Sequence, residues 1–563
     1  MSTVIIDDLQ NSIQRGDLYG VGYFHFDHQA VDKSSRLAVL RAVATQLLFA
    51  NRYDKKLVDI SSFLMMNDGQ GQINASESTL QTLIRNFAEE LDASYFIFDG
   101  LDECSDWEEF IMCLRRCTEH TPCRSVIITR PHLRISEILG GKPSILKLEQ
   151  DANLIEIEAF LTPGIHELIE SGKLGQRYSP ETTQRVAHDL AKRSDSIFLW
   201  AQLMLKHLQS SALTRNERVE LIEQEKPFKG LENLYAKILH DMRKRLSQSE
   251  LSKVQKVFEL LITAQVEWSS KMLEAALAVH PKRASTRDDY LENFDEAIIQ
   301  LCGPMVEIRH NGKVRFIHLS AGEYLSASEG LRPKSPLTVN LCNAHGSTAI
   351  LCITYLMNEI PPEPLSGNAL SCASPTSVSQ RYPLLSYAVA YWSKHVLQAL
   401  DQPEGDETPT QLHLQSWKEP QSLLLLISRI VADKCLISVW IEASWLFGVP
   451  PTVLDLPQRI LQFASRVPRA IGTQLEKLGK TLQRLSKDLS VLNKSWGPAL
   501  SAEPNEIWLP SINSFTDSEF WVGTTSSQVS WLPSNDEETS ILIASRVSGN
   551  GRRVGIVRVL PSV

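Results

Sequence analysis

Tyr95-Phe-Ile-Phe-Asp99-Gly-Leu-Asp102-Glu103-Cys104 is an aromatic and β-branched run that ends on a carboxylate. Its first four residues predict a buried strand. A buried strand ending in Asp sets that carboxylate at the carboxyl edge of a sheet, where α/β folds bind ligands. In phosphate-transfer sites an Asp so placed holds Mg²⁺, and a second carboxylate just beyond it orients or deprotonates a water. Asp99 is therefore the candidate metal and cofactor ligand, and Asp102 and Glu103 are the candidate catalytic carboxylates.

Similar short runs flank it. Gly22–Phe26, Ser125–Ile128 and Ile145–Leu148 read as strands, while Ser35–Phe49, Leu80–Leu91 and Trp107–His120 carry apolar residues at helical spacing. Such alternation predicts a parallel α/β sheet with helices on both faces. After residue 150 helical periods dominate, at Leu154–Phe160, Glu181–Leu208, Leu231–Leu246 and Leu251–Val266. A helix near Glu296–Cys302 then precedes Met305–Ile308, an Asn311-Gly312 turn and Lys313–His318, a hairpin signal because both turn positions of that type need positive φ. Ser320-x-x-Glu323 offers a capping box to the next helix, and the whole reads as a winged-helix module.

Further on, Pro361–Pro383 and Asp401–Pro420 read as linkers, and Leu423–Phe447 as two buried helices rather than a membrane span, since Arg429, Asp433, Lys434 and Glu442 interrupt it. Leu475, Leu478, Leu482, Leu485, Leu489 and Leu492 step by three and four. That spacing fits a coiled-coil seam, or one amphipathic helix docked on its own domain, with Gly479 weakening the former. From Glu506 the chain turns β-like, with a hairpin over Ile541–Val547 and Val554–Leu560.

The Asp99 segment resembles the Walker B box of NACHT-type signalling NTPases of the STAND class, in particular the fungal NLR-like and nephrocystin-like branch. Ser125-Val-Ile-Ile-Thr-Arg130-Pro131 resembles the sensor strand of that family, Ser196–Leu203 and Gly230–Tyr235 its helical segments, Phe316–Leu325 the end of its winged helix, and Pro383–Trp392 the helices after it. The resemblance spans about residues 1–400 in the family's order. It implies a P-loop-NTPase-like α/β fold with an incomplete sheet, ATP or ADP with Mg²⁺ as cofactor, and a cytoplasmic switch between closed and open states. Arg130 would then read a γ-phosphate or, equally, pair at the sheet edge. His318 would contact nucleotide in the closed state or be a satisfied core histidine. Protein partners and self-association are implied in the same way.

One element of that family is missing. A phosphate cradle requires G-x-x-x-x-G-K-S/T, whose glycines admit backbone N–H groups and whose Lys and hydroxyl meet phosphate and Mg²⁺. No such string occurs in this sequence; Gly479-Lys-Thr481 lies within the leucine helix, and Pro143 spoils Gly140-Gly-Lys-Pro. Met1–Gln10 resembles the later turns of the helix that follows the cradle, so the expectation is a chain that starts just past it, through truncation or through degeneration. Either way the polypeptide is expected to hold no tight ATP·Mg²⁺ and to lack hydrolysis. The strand before the cradle would lie between the sensor strand and Ile145–Leu148, so an unpaired apolar edge is expected.

Composition limits the remaining classes. Lys and Arg number 57 against 66 Asp and Glu, a net charge of −9, with no global pull toward nucleic acid or anionic lipid. Nine cysteines in 563 residues, without an opening apolar stretch, fit free thiols in a reducing compartment. Cys104, Cys113, Cys117, Cys123 and His120 match no zinc spacing, and His25, Asp27 and His28 alternate across a strand, so no metal is assigned to either group. Eight of 11 tryptophans lie from Trp392 onward, so the two ends differ in kind. The expected domains are an α/β domain at 1–150, a helical lid at 151–235, a winged helix at 236–345, helices at 346–400 and at 401–500 with the leucine helix at 471–493, and a β-rich tail at 501–563 opening a repeat. The chain then acts as a nucleotide-regulated signalling protein or as a nucleotide-independent scaffold; two hairpin cations, Lys313 and Arg315, are too few for a DNA-binding wing.

Overall fold

Strands β1 (Tyr19–His25), β2 (Ala93–Asp99) and β3 (Cys123–Ile128) pair in parallel in that order, in a computed structural model of the chain. The structure describes residues 2–13, 19–27, 33–68, 75–130, 133, 135–139, 144–146, 153–175, 178–211, 213–223, 231–326, 337–400, 420–453, 455–465, 467, 469–509, 512, 520–521, 541–547 and 553–559. It is mostly helical and divides into two units, residues 1–149 with 265–267, and the rest.

In the first unit the two-residue period of β2 sorts its side chains. Phe96 and Phe98 enter a core built by α2 (Arg36–Ala50), α3 (Lys55–Asp68), α4 (Glu77–Glu90) and α5 (Trp107–Thr118), including Val43, Leu47, Leu83, Phe87 and Phe110. Ile97 faces the other way, onto Ile6 of α1 (Ser2–Ile13) and Val21. Side-chain caps fix the starts of α2 and α4, where Ser35 accepts from the Ala38 N–H and Ser76 from the Thr79 N–H. Gly22 is required in β1: a Cβ there would sit 2.9 Å from Val43 and 3.1 Å from Phe96.

Among the described residues β3 has no neighbour on its outer side, and Val126 is 40% exposed. The strand expected at Ile145–Leu148 does not form at its described positions. Ile145 and Leu146 lie outside any strand and are exposed, while 147 and 148 fall outside the described residues. The physical reason is pairing: an apolar run becomes a strand only beside a partner, and among the described residues no strand pairs with it. A short helix, α6 (Ile135–Leu139), completes this unit.

The second unit opens with α7 (Leu154–Glu170), α8 (Thr183–Arg193), α9 (Phe198–Gln209), α10 (Arg215–Glu223) and α11 (Leu231–Arg245). The single helix expected over Glu181–Leu208 is broken, because Asp195 and Ser196 take φ of 52° and 60°. Next come α12 (Gln248–Ile262), β4 (Trp268–Ser269), α13 (Ser270–Ala278), α14 (Phe294–Cys302), β5 (Val306–Ile308), β6 (Lys313–Phe316) and α15 (Leu319–Ser326), with an antiparallel sheet of order β4-β6-β5. The β5–β6 turn differs from the two-residue type: only Gly312 has positive φ, 72°, and its N–H donates to the Arg309 carbonyl at 2.8 Å. The capping box at Ser320 is also replaced. The helix starts at Leu319, and the Ser320 hydroxyl meets His318 and Tyr235 instead.

Helices α16 (Leu341–Asn358), α17 (Pro375–Arg381), α18 (Leu385–Leu400), α19 (Pro420–Ala432), α20 (Lys434–Leu446), α21 (Leu456–Ala464) and α22 (Arg469–Ala502) follow. Pro361–Pro383 is not a free linker: it contains α17 and buries Leu365 and Val378. Residues 401–419 of the other expected linker lie outside the described residues. All six seam leucines of α22 are buried, at most 6% exposed, against elements of the same chain that include α21. Residues 504–508 form a 3₁₀ turn rather than β structure, and β7 (Ile541–Val547) and β8 (Arg553–Val559) pair as an antiparallel hairpin.

Candidate functional site

The carboxyl edge of the first sheet gathers the acidic residues. β1 and β2 run in register with His25 opposite Asp99, so both side chains stand at the same edge. His25 Nδ1 lies 3.5 Å from Asp99 Oδ2. The first residue of α1 comes to the same carboxylate: the Ser2 hydroxyl donates to Asp99 Oδ2 at 2.6 Å. Ile6, packed on Val21 and Ile97, fixes the helix over the strands and so aims its N-terminal turn at Asp99.

Beyond Asp99 the chain must turn within one residue. Gly100 does so at φ 76°, a left-handed conformation that costs glycine little. Its N–H donates to the Ile128 carbonyl at 3.0 Å, and the Asp99 carbonyl accepts from the Phe26 N–H at 2.9 Å, tying the turn to both outer strands. Buried Leu101 anchors a 3₁₀ turn over Leu101–Glu103. That turn carries Asp102 across to the end of β3. There Asp102 Oδ1 accepts from the Thr129 hydroxyl and the Arg130 N–H, each at 3.3 Å, and Oδ2 pairs with Arg130 Nε at 3.0 Å.

The Asp102 side chain is 7% exposed and Arg130 34%. Asp102 thus anchors the end of β3, with Arg130 as its partner, while Asp99 faces the open side at 35% exposure. Toward Mg²⁺ this edge offers a carboxylate and a hydroxyl, Asp99 and Ser2, which suit a hard cation. Toward phosphate it offers Arg130, already engaged by Asp102. The residues present therefore fit the metal-binding side of such a site.

Asp99, Asp102, Glu103 and Arg130 are brought together at one edge. His318 belongs to the second unit, where it follows β6 half-buried; its Nδ1 accepts the Ser320 N–H at 3.1 Å and lies 2.9 Å from the Ser320 hydroxyl, itself 2.9 Å from the Tyr235 hydroxyl. Sequence reasoning did not place Ser2 or His25 beside Asp99. The signal for His25 was present, since the last residues of adjacent parallel strands share an edge.

The cysteines are all free. Burial pushes the Cys104 thiol up to about 12, and Cys117 is raised by its hydrogen bond with Cys113 and by burial, so both stay protonated. Among the described residues no group of three or more His, Cys, Asp or Glu is placed to hold a metal ion. None of their helices is long and apolar enough to cross a membrane.

No curated protein matches the sequence. Among solved structures, the Aeropyrum pernix Orc1 protein in complex with DNA is matched at 13% identity over 57% of this chain and 90% of that one; its TM-score of 0.18 carries no argument about fold or ligand. Residues 1–130 match the family model described as nephrocystin 3, N-terminal, and so the stretch that holds the Asp99 edge is similar to that family.

Proposed function

We propose that the first unit is the Mg²⁺ side of a NACHT-type, P-loop-NTPase-like site, and that the chain is a cytoplasmic signalling protein of that class which does not hydrolyse ATP by itself. The observation that carries this is the Ser2 hydroxyl on the Asp99 carboxylate at the end of the central strand. A hydroxyl from α1 and a strand-end Asp meet at the carboxyl edge of the sheet, where Mg²⁺ and phosphate oxygens sit in phosphate-transfer sites. The match of residues 1–130 supports the same reading.

In this reading Asp99 ligates Mg²⁺, Glu103 orients water, and Asp102 positions Arg130. The order α12, β4, α13, α14, β5, β6 supports a winged helix whose His318 reports on nucleotide, with protein partners, second copies among them, receiving the signal. Bound Mg²⁺ would supply charge neutralisation for phosphate oxygens. The sequence contains no Gly-rich cradle, so Mg²⁺-dependent phosphate release from ATP should not exceed that of Glu103→Gln. Release that disappears in Glu103→Gln would overturn the silent assignment. A nucleotide-independent scaffold is the second reading, favoured by the Asp102–Arg130 pair, in which each group is satisfied without a ligand.

A further inference from the structure

The solvent side of α22 carries a regular row of cations. Two residues after each buried seam leucine stand Lys477, Lys480, Arg484, Lys487, Val491 and Lys494, all exposed. Two residues turn a helix by about 200°, so the row lies diametrically opposite the seam. Five of its six positions are cationic, and it follows the helix axis along one face for about 25 Å. Glu476 and Asp488 flank it without interrupting it. Among the described residues none of the four lysines pairs with a carboxylate.

The surrounding region shares the bias. Residues 420–502 hold ten Lys and Arg against five Asp and Glu, and one of the five, Glu442, is buried. The rest of the chain has 47 against 61. A net charge of −9 therefore conceals a basic segment, and charge screened over about 8 to 10 Å acts locally.

We propose that this ridge docks on an anionic phospholipid surface. A bilayer is planar on this scale and its lipids are mobile, so headgroups can gather under each lysine of a row along one helix face. Duplex nucleic acid fits poorly, because each strand winds through a full turn in about 34 to 36 Å and leaves a ridge along one helix face after a few phosphates. The row also has no aromatic side chain on which to stack single-stranded bases, and four of its five cations are lysines rather than the bidentate arginines that favour phosphate and guanine recognition. A protein partner is disfavoured because interfaces are depleted in Lys and centred on buried aromatic or apolar anchors, whereas Val491 is the sole apolar member. Polybasic rows of this size bind anionic leaflets reversibly.

The test is co-sedimentation of the full chain with phosphatidylcholine vesicles, with and without phosphatidylserine, alongside Lys477→Gln/Lys480→Gln/Lys487→Gln/Lys494→Gln. Lys192→Gln/Lys244→Gln/Lys271→Gln/Lys282→Gln, four exposed lysines elsewhere, serves as the charge-matched control. Circular dichroism establishes that each variant is folded. The expected result is salt-sensitive binding to the anionic vesicles alone, lowered at least about a hundredfold in the ridge variant and little changed in the control. Equal loss in both variants, no vesicle binding, or tighter capture by duplex DNA or by a second copy at the same salt would overturn the proposal.

Discussion

Raising the pH from about 4.5 to about 8 should cost the native chain about 3 kcal/mol through one residue, Glu442, and Glu442→Gln should remove that cost. Glu442 lies on α20 and is 1% exposed. Its Oε2 accepts the Leu365 N–H at 3.1 Å and the Trp508 Nε1–H at 2.7 Å, joining the 361–367 segment and the 504–508 turn to the helix. Burial pushes its carboxyl up from 4.5 to about 7, against both donors, which favour the ionised form. The folded state therefore holds the proton more tightly than the unfolded chain. Its contribution is fully present below the ordinary value near 4.5 and is lost as pH rises through about 7. Glutamine keeps an acceptor for both donors and carries no charge. Urea unfolding followed by tryptophan fluorescence should show the variant more stable than the parent at alkaline pH and matched to it in acid. Parallel pH profiles for the two proteins would refute this.

Leu482→Ala should destabilise the chain by about 3 to 5 kcal/mol, independently of protein concentration. Leu482 is 0% exposed and lies in the middle of the seam. Were the seam an interface between two chains, the loss would instead depend on concentration and lower the mass in solution. Gly479 sharpens the distinction. On an exposed helix Gly→Ala stabilises by about 1 kcal/mol. Here the new Cβ would lie 2.7 Å from Leu461 of α21, so overpacking should reverse the sign and cost about 1 to 3 kcal/mol. Thermal unfolding of both variants at two concentrations checks both statements.

Gly479, a weak point for a coiled-coil seam, is the residue that admits α21. Spacing revealed the seam but not what would cover it, because a 3,4 pattern is the same for an internal and an external partner. Similarly, the aromatic and β-branched run before Asp99 marked a buried strand, and Asp99 marked its carboxyl end. Ile145–Leu148 carried the same local signal and is no strand at its described positions, since pairing is not a local property. Ser2 was legible only as part of a helix. Its meeting with Asp99, 97 positions away, depends on how that helix lies over the sheet. Ser320 looked like a helix cap until Tyr235, from another helix, was there to share its hydroxyl.

If the Asp99 edge is the metal-binding half of a nucleotide site, supplying the other half should complete it. The decisive measurement is isothermal titration of Mg·ATP into the chain extended upstream of Ser2 by a strand, a G-x-x-x-x-G-K-S turn and the first turn of the helix that follows it, beside the unextended chain. The added strand has the outer side of β3 to pair with, where Val126 is exposed. The expected result is micromolar, Mg²⁺-dependent binding by the extended chain, weakened by Asp99→Asn, and no saturable heat from the unextended one. Equal binding by both chains, or a folded extended chain that takes up no nucleotide, would contradict the assignment of this edge.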